Sequence, residues 1–137
     1  MSEQPMVLDR AGLQDMLDIA PFHQWLGLKI QSCSEDGLEL TMPWRAEIIS
    51  NPVLGAAHGG VLASLIDLTG LYTLLSQGTG AKATADLRVD YHRPATSGPL
   101  VASGKIIKIG KNISVAETRV YGPTGNLLAS GRGAYVC

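Results

Sequence analysis

The sequence predicts an α+β fold: one long helix buried against an antiparallel sheet of five or six strands. Three observations carry this. Residues 58–77 are apolar nearly all round, the pattern of a helix covered on most faces. Segments 27–34, 38–44, 82–92, 99–109, 112–122 and 126–136 read as strands, with Leu38, Leu40 and Met42 alternating against Glu39 and Thr41. The gaps between strands are of hairpin length, which argues for antiparallel neighbours. The 137 residues suit one domain with one core.

Each element has a local reason. Asp9 is a plausible N-cap for a short amphipathic helix over 9–19, with Leu13, Met16, Leu17 and Ala20 on one face and Pro21 as its stop. Residues 1–22 thus form an N-terminal helical extension of the single domain 1–137. Phe22, Trp25 and Leu26 then supply apolar anchors for one end of the core. Ser34-Glu35-Asp36-Gly37 turns the first two strands into a hairpin. Residues 45–57, with Asn51-Pro52 and Gly55, read as irregular. Gly78-Thr79-Gly80 stops the long helix. The later strands are separated by Pro94 to Pro99, by Gly110-Lys111-Asn112 and by Gly122-Pro123-Thr124-Gly125.

Composition excludes several function classes. Hydrophobic residues make up 45% and charged residues 17%, as in an ordinary globular chain. A net charge of -1 gives no electrostatic footprint for nucleic acid or an anionic membrane. Aromatic residues are 5%, too few for a base-stacking surface. Cys33 and Cys137 lie far apart and fit no metal or redox spacing, so two free thiols in a reducing cytoplasm are expected. The start, Met1-Ser2-Glu3-Gln4-Pro5, lacks the basic and apolar runs of a secretion signal. No stretch matches the roughly 20 apolar residues of a membrane span, because the long helix carries Ser64, Asp67 and further hydroxyl residues.

The chemistry concentrates on that helix. Between Glu47 and Lys82 its Asp67 is the one charged residue. A buried carboxylate is costly unless paired, hydrogen-bonded or protonated, and such costs gather at functional sites. His58-Gly59-Gly60 opens the helix with free N–H groups at the positive end of its dipole, a suitable cradle for an oxyanion. Taken alone, that tripeptide serves as well for a tight entry turn, and Asp67 as well for a hydrogen-bonded interface carboxylate. Gly59 and Asp67 are eight residues apart, about 12 Å along a helix. One reacting carbonyl cannot lie within about 3 Å of both. If both act on one bond, they come from two subunits whose helices run antiparallel across a two-fold axis. The scant polar face of the helix also argues for an isologous dimer. His58 reads as a helix-entry hydrogen-bonder, since no cluster of metal-ligating residues surrounds it. Ser64 has no nucleophile elbow around it.

The run from His58 to Asp67, His58-Gly59-Gly60-Val61-Leu62-Ala63-Ser64-Leu65-Ile66-Asp67, is followed by Thr84-Ala85-Asp86-Leu87-Arg88-Val89-Asp90-Tyr91-His92-Arg93-Pro94-Ala95. Together they resemble the hotdog-fold acyl-CoA thioesterases of the phenylacetate-degradation branch, over roughly residues 23–136. The resemblance implies a hotdog fold, a long central helix wrapped by the sheet. It implies hydrolysis of an acyl-CoA to free acid and coenzyme A, with no cofactor. Asp67 matches the carboxylate that activates water or attacks the thioester directly. Gly59, or else Gly60, matches the oxyanion donor, and Thr84 a hydroxyl that helps position water. Asn51 resembles a family asparagine near the thioester but lies one residue further from His58 than the common pattern. Arg93, Lys108, Lys111 and Asn112 stand where relatives meet coenzyme A phosphates. The resemblance further implies a homodimer, often paired into a tetramer. The alternatives are a coenzyme A-binding or regulatory module without turnover, a dehydratase of the same fold, and a purely structural dimer.

Overall fold

The computed structural model describes residues 8–137. The first seven residues of the expected N-terminal extension lie outside the described residues. Helices α1 (Arg10–Leu17) and α2 (Pro21–Leu26) precede strands β1 (Lys29–Ser34) and β2 (Gly37–Met42). A 3-10 turn (Ala46–Ile48) and the small hairpin β3 (Ile49–Asn51) and β4 (Ala56–Ala57) lead into α3 (Gly59–Ser76). Strands β5 (Ala83–Tyr91), β6 (Leu100–Lys108), β7 (Ile113–Tyr121) and β8 (Leu127–Val136) complete the chain. The main sheet has six antiparallel strands in the order β1-β2-β6-β7-β8-β5, and α3 packs on it: the fold is the hotdog fold.

Three local expectations need correction. The first helix, expected over 9–19, ends at Leu17 with Asp18 as its C-cap, and Pro21 instead starts α2 at its first position, where proline has no N–H to lose. The segment 45–57 is not wholly irregular: Ile49 and Asn51 pair with Ala57 and Ala56. The connection from Arg93 to Pro99 is not a hairpin. It carries the chain from β5, at one sheet edge, across to β6 in the interior. Main-chain bonds tie it down on the way: Ala57 N–H to Ala95 C=O, and the His92 and Arg93 N–H groups to Leu128 C=O.

The two sheet edges are treated differently. At β1 the Gln14 side chain of α1 acts as a substitute strand. Its Oε1 accepts from Ile30 N–H at 2.7 Å and its Nε2 donates to Leu28 C=O at 3.0 Å. Leu13 and Leu17 of α1 are fully buried in the core, while Met16, expected on the same face, is partly exposed. β5 has no such cover. Among the described residues its outer edge is unpaired along nine residues, the kind of edge that adds another strand.

α3 is buried by Leu62, Leu65, Ile66, Leu68, Thr69, Gly70, Tyr72, Thr73, Leu74 and Ser76. Its 18 residues are long and apolar enough to cross a membrane by length and composition alone, yet more than half of it is buried within this chain. An open stripe remains, with Gly60, Ser64, Asp67, Leu71 and Leu75 at helical spacing. Asp67 is therefore half-buried on that stripe, not enclosed within the chain as its apolar neighbours suggested.

Candidate functional site

Two groups of polar atoms form on α3, one in its middle and one at its start. In the middle, Asp67 Oδ1 accepts a hydrogen bond from the Thr84 hydroxyl at 2.5 Å. Thr84 reaches it from β5, directly beside a bulge between Thr84 and Asp86, a feature that re-aims side chains next to sites. Tyr135 is register partner of Thr84 on β8, and its hydroxyl donates to the Asp67 main-chain carbonyl at 2.8 Å. Asp67 Oδ2 meets no donor among the described residues, which leaves one carboxylate oxygen open to a ligand.

Burial first, and the Asp67 charge second, push the Tyr135 phenol well above its ordinary range. The folded chain thus holds this proton more tightly than the unfolded chain, where tyrosine titrates near about 10. The associated stability is complete below about pH 10 and is lost as pH rises toward the folded value. The expected result is a urea midpoint that declines above about pH 10, less steeply in Tyr135→Phe. Tyr72, raised by burial and by Asp18, keeps part of the slope.

At the helix start, His58 is the N-cap, with non-helical ψ of 132°. Its Nδ1 accepts from Gly60 N–H at 2.8 Å. A ring that accepts at Nδ1 carries its proton on Nε2. The Gly60 N–H is thereby used, whereas the Gly59 N–H has no acceptor among the described residues. Tyr91 donates to Gly59 C=O at 2.7 Å and fills the space beside its Cα: a Cβ there would stand 3.2 Å from the phenol oxygen. Gly59, Leu62, Tyr91 and Arg93 line a shallow groove of about 310 Å³ with the alanines of β4.

The other expected residues divide by position. Lys108, Lys111 and Asn112 are exposed around the β6–β7 turn. The register Ala83–Val136–Ile113 sets that turn at the Thr84 end of the sheet. Arg93 lies at the opposite end, beside Gly59. Asn51 Oδ1 accepts from Leu54 N–H at 3.2 Å, so it organises the β3–β4 turn, and it does not line the groove. Ser64 Oγ donates to Gly60 C=O. A larger groove of about 560 Å³, between α1, α2 and β1, contains none of the expected site residues. Among the described residues no three His, Cys, Asp or Glu side chains converge as metal ligands.

Sequence reasoning missed Tyr135, and took Tyr91 only as part of a motif. β8 alternation could place Tyr135 on the inner face, but no local signal ties it to a residue 68 positions away.

Comparison with known proteins places the chain in a family. Residues 54–129 match the model of the thioesterase superfamily. The chain is 25% identical over 131 residues to the medium/long-chain acyl-CoA thioesterase YigI of Escherichia coli, covering 85% of this chain and 84% of that one. A solved thioesterase-superfamily protein is 41% identical with a TM-score of 0.86, over 91% of this chain and 95% of that one. The Escherichia coli PaaI protein, from the phenylacetic acid degradation operon, is 28% identical with a TM-score of 0.79, over 93% and 95%. A helix that presents a held carboxylate in its middle and a free N–H at its start, within a hotdog sheet, is thus set in a known lineage: the chain belongs to the thioesterase superfamily and is a thioester hydrolase.

Proposed function

We propose that the chain hydrolyses acyl-CoA thioesters in sites built from two copies, with Asp67 of one copy and Gly59 of the other acting on the same bond. The observation that carries this is the placement of the two groups on one helix: the Thr84-held carboxylate and the free Gly59 N–H are eight residues apart, about 12 Å. Two antiparallel copies of α3 complete each other at both ends. The open stripe of α3 and the unpaired edge of β5 support a second copy docking there.

In this reading the thioester oxygen sits on the Gly59 N–H. Water attacks the carbonyl carbon as Asp67 takes its proton, and the oxyanion gathers charge at the helix start. Collapse of the tetrahedral intermediate breaks the carbon–sulfur bond, and the proton held by Asp67 passes to the coenzyme A thiolate. Direct attack by Asp67 would instead form a mixed anhydride that water then opens. Neither route requires a cofactor, because the thioester is already activated. Arg93 from the Gly59 side, and Lys108, Lys111 and Asn112 from the Asp67 side, offer cationic and amide groups to the phosphates. A medium or long aliphatic acyl group is supported by the Escherichia coli relative, and an aromatic one by the PaaI structure. The cytoplasm suits the two free thiols.

The test is thiol release from a panel of short, long and aromatic acyl-CoAs. The composite site has its own signature. Asp67→Asn and Gly59→Pro chains, each with about a hundredth of wild-type activity or less, are mixed after unfolding and refolded together. Random pairing makes half the dimers mixed, each with one intact site, so activity returns to about a quarter of wild type. Failure to recover any activity while mixed dimers form would refute the shared site. Coenzyme A binding without turnover on any thioester would favour a regulatory module.

A further inference from the structure

We propose that Tyr135 is a positioning residue for Asp67, holding the helix main chain so that the carboxylate stays against Thr84. This rests on the reading of Asp67 as the reacting carboxylate. On β8 the inward residues before Tyr135 are Ala129, Gly131 and Gly133, all small, which lets α3 approach the sheet closely. At the end of that row comes the largest fully buried side chain among the described residues. Its hydroxyl occupies a slot that two elements leave vacant. A Cβ at Gly70 of α3 or at Gly133 of β8 would overlap that hydroxyl.

The bond made in that slot is not required to complete the helix. The Asp67 carbonyl lies in the regular part of α3, where the α-helical pattern supplies Leu71 N–H as its donor. Tyr135 uses the second lone pair of that oxygen, at 2.8 Å. Thr84 is the direct register partner of Tyr135, one strand spacing away at about 5 Å. Two adjacent strands therefore hold one residue at two points: Thr84 grips the carboxylate and Tyr135 the main chain. A slide or rotation of α3 would break both bonds together. A displacement of about 1 Å is enough to cost up to about a hundredfold in rate.

A tyrosine that only filled the core would change stability and leave turnover per folded molecule intact. The two roles separate in kinetics. Tyr135→Phe keeps the ring and removes the hydroxyl; Gly70→Ala keeps the hydroxyl and forces it from its slot. We expect either variant to lower kcat about tenfold with KM within about twofold of wild type, measured on the folded dimer. We expect the double variant to lose no more than either single one, and Tyr135→Phe to change the residual rate of Asp67→Asn by less than about twofold. Wild-type kcat in folded Tyr135→Phe beside an inactive Asp67→Asn would overturn the positioning role and spare the role of Asp67. An equal loss from Tyr135→Phe with and without the Asp67 carboxylate would overturn it too. Wild-type turnover by Asp67→Asn would remove the reading on which it stands, and the proposal with it.

Discussion

Asp67→Asn is expected to lower kcat by about a thousandfold, within the range attributed to general acid–base groups. That loss corresponds to about 4 kcal/mol of transition-state stabilisation. The substitution keeps the shape of the side chain, and its Oδ1 can still accept from Thr84, now held at 2.5 Å. Asp67 is also half-exposed on the open stripe of α3, so exchange for a neutral amide leaves no buried charge unpaired. The folded state and its association should therefore persist, which thermal unfolding and sedimentation would check. KM should change little, because in the proposed mechanism the carboxylate acts on the water and not in holding coenzyme A. Turnover close to wild type on every acyl-CoA would exclude Asp67 from the chemistry.

Gly59→Pro should cost about a hundredfold or more in kcat, the range seen when one oxyanion donor is lost. It removes the one N–H at the helix start that lacks an acceptor and leaves Gly60 N–H on His58. Proline suits this place in other respects. Gly59 is the first helical residue and is not among the glycines with positive φ. The preceding His58 already has φ -58° and ψ 132°, the extended geometry that a following proline demands. The added ring would press on Tyr91, whose phenol oxygen would stand 3.2 Å from a Cβ at this position. Gly59→Ala is the control: it presses on Tyr91 in the same way but retains the N–H. A kcat near wild type in Gly59→Ala with a collapse in Gly59→Pro would assign the effect to the donor. Equal losses in both would assign it to Tyr91 packing.

Much of the fold was legible along the chain because its signals are local. The apolar run of α3, the Asp9 cap and the alternation of β2 depend on residues within a turn or a strand of one another. The place of β5 was not legible. Pro94 to Pro99 has the length of a hairpin, but Ala95 within it pairs with Ala57, and His92 and Arg93 just before it bond Leu128, which no local pattern shows. Asp67 stood out as a lone charge, yet its half-exposure follows from which side of α3 the sheet covers. The resemblance favoured Gly59 over Gly60 as donor, and the physical reason became visible only in the structure, where the His58 ring takes the Gly60 N–H.

By itself the sequence determined the helix, the strands, the membership of the hotdog thioesterases that its paired motifs announced, and which residues could carry charge or donate at a helix start. The elements and the placing of polar groups are set by propensity, periodicity and covalent spacing, whereas the family was carried by the resemblance of the motifs alone. The tertiary structure alone decided which groups are held and which are left free. Thr84 and Tyr135 meet Asp67 from positions 17 and 68 residues away. Tyr91 meets Gly59 across 32 residues. Such contacts depend on strand order and register, which arise when the whole sheet closes on α3 and have no local energy term that a reading of neighbours could reveal.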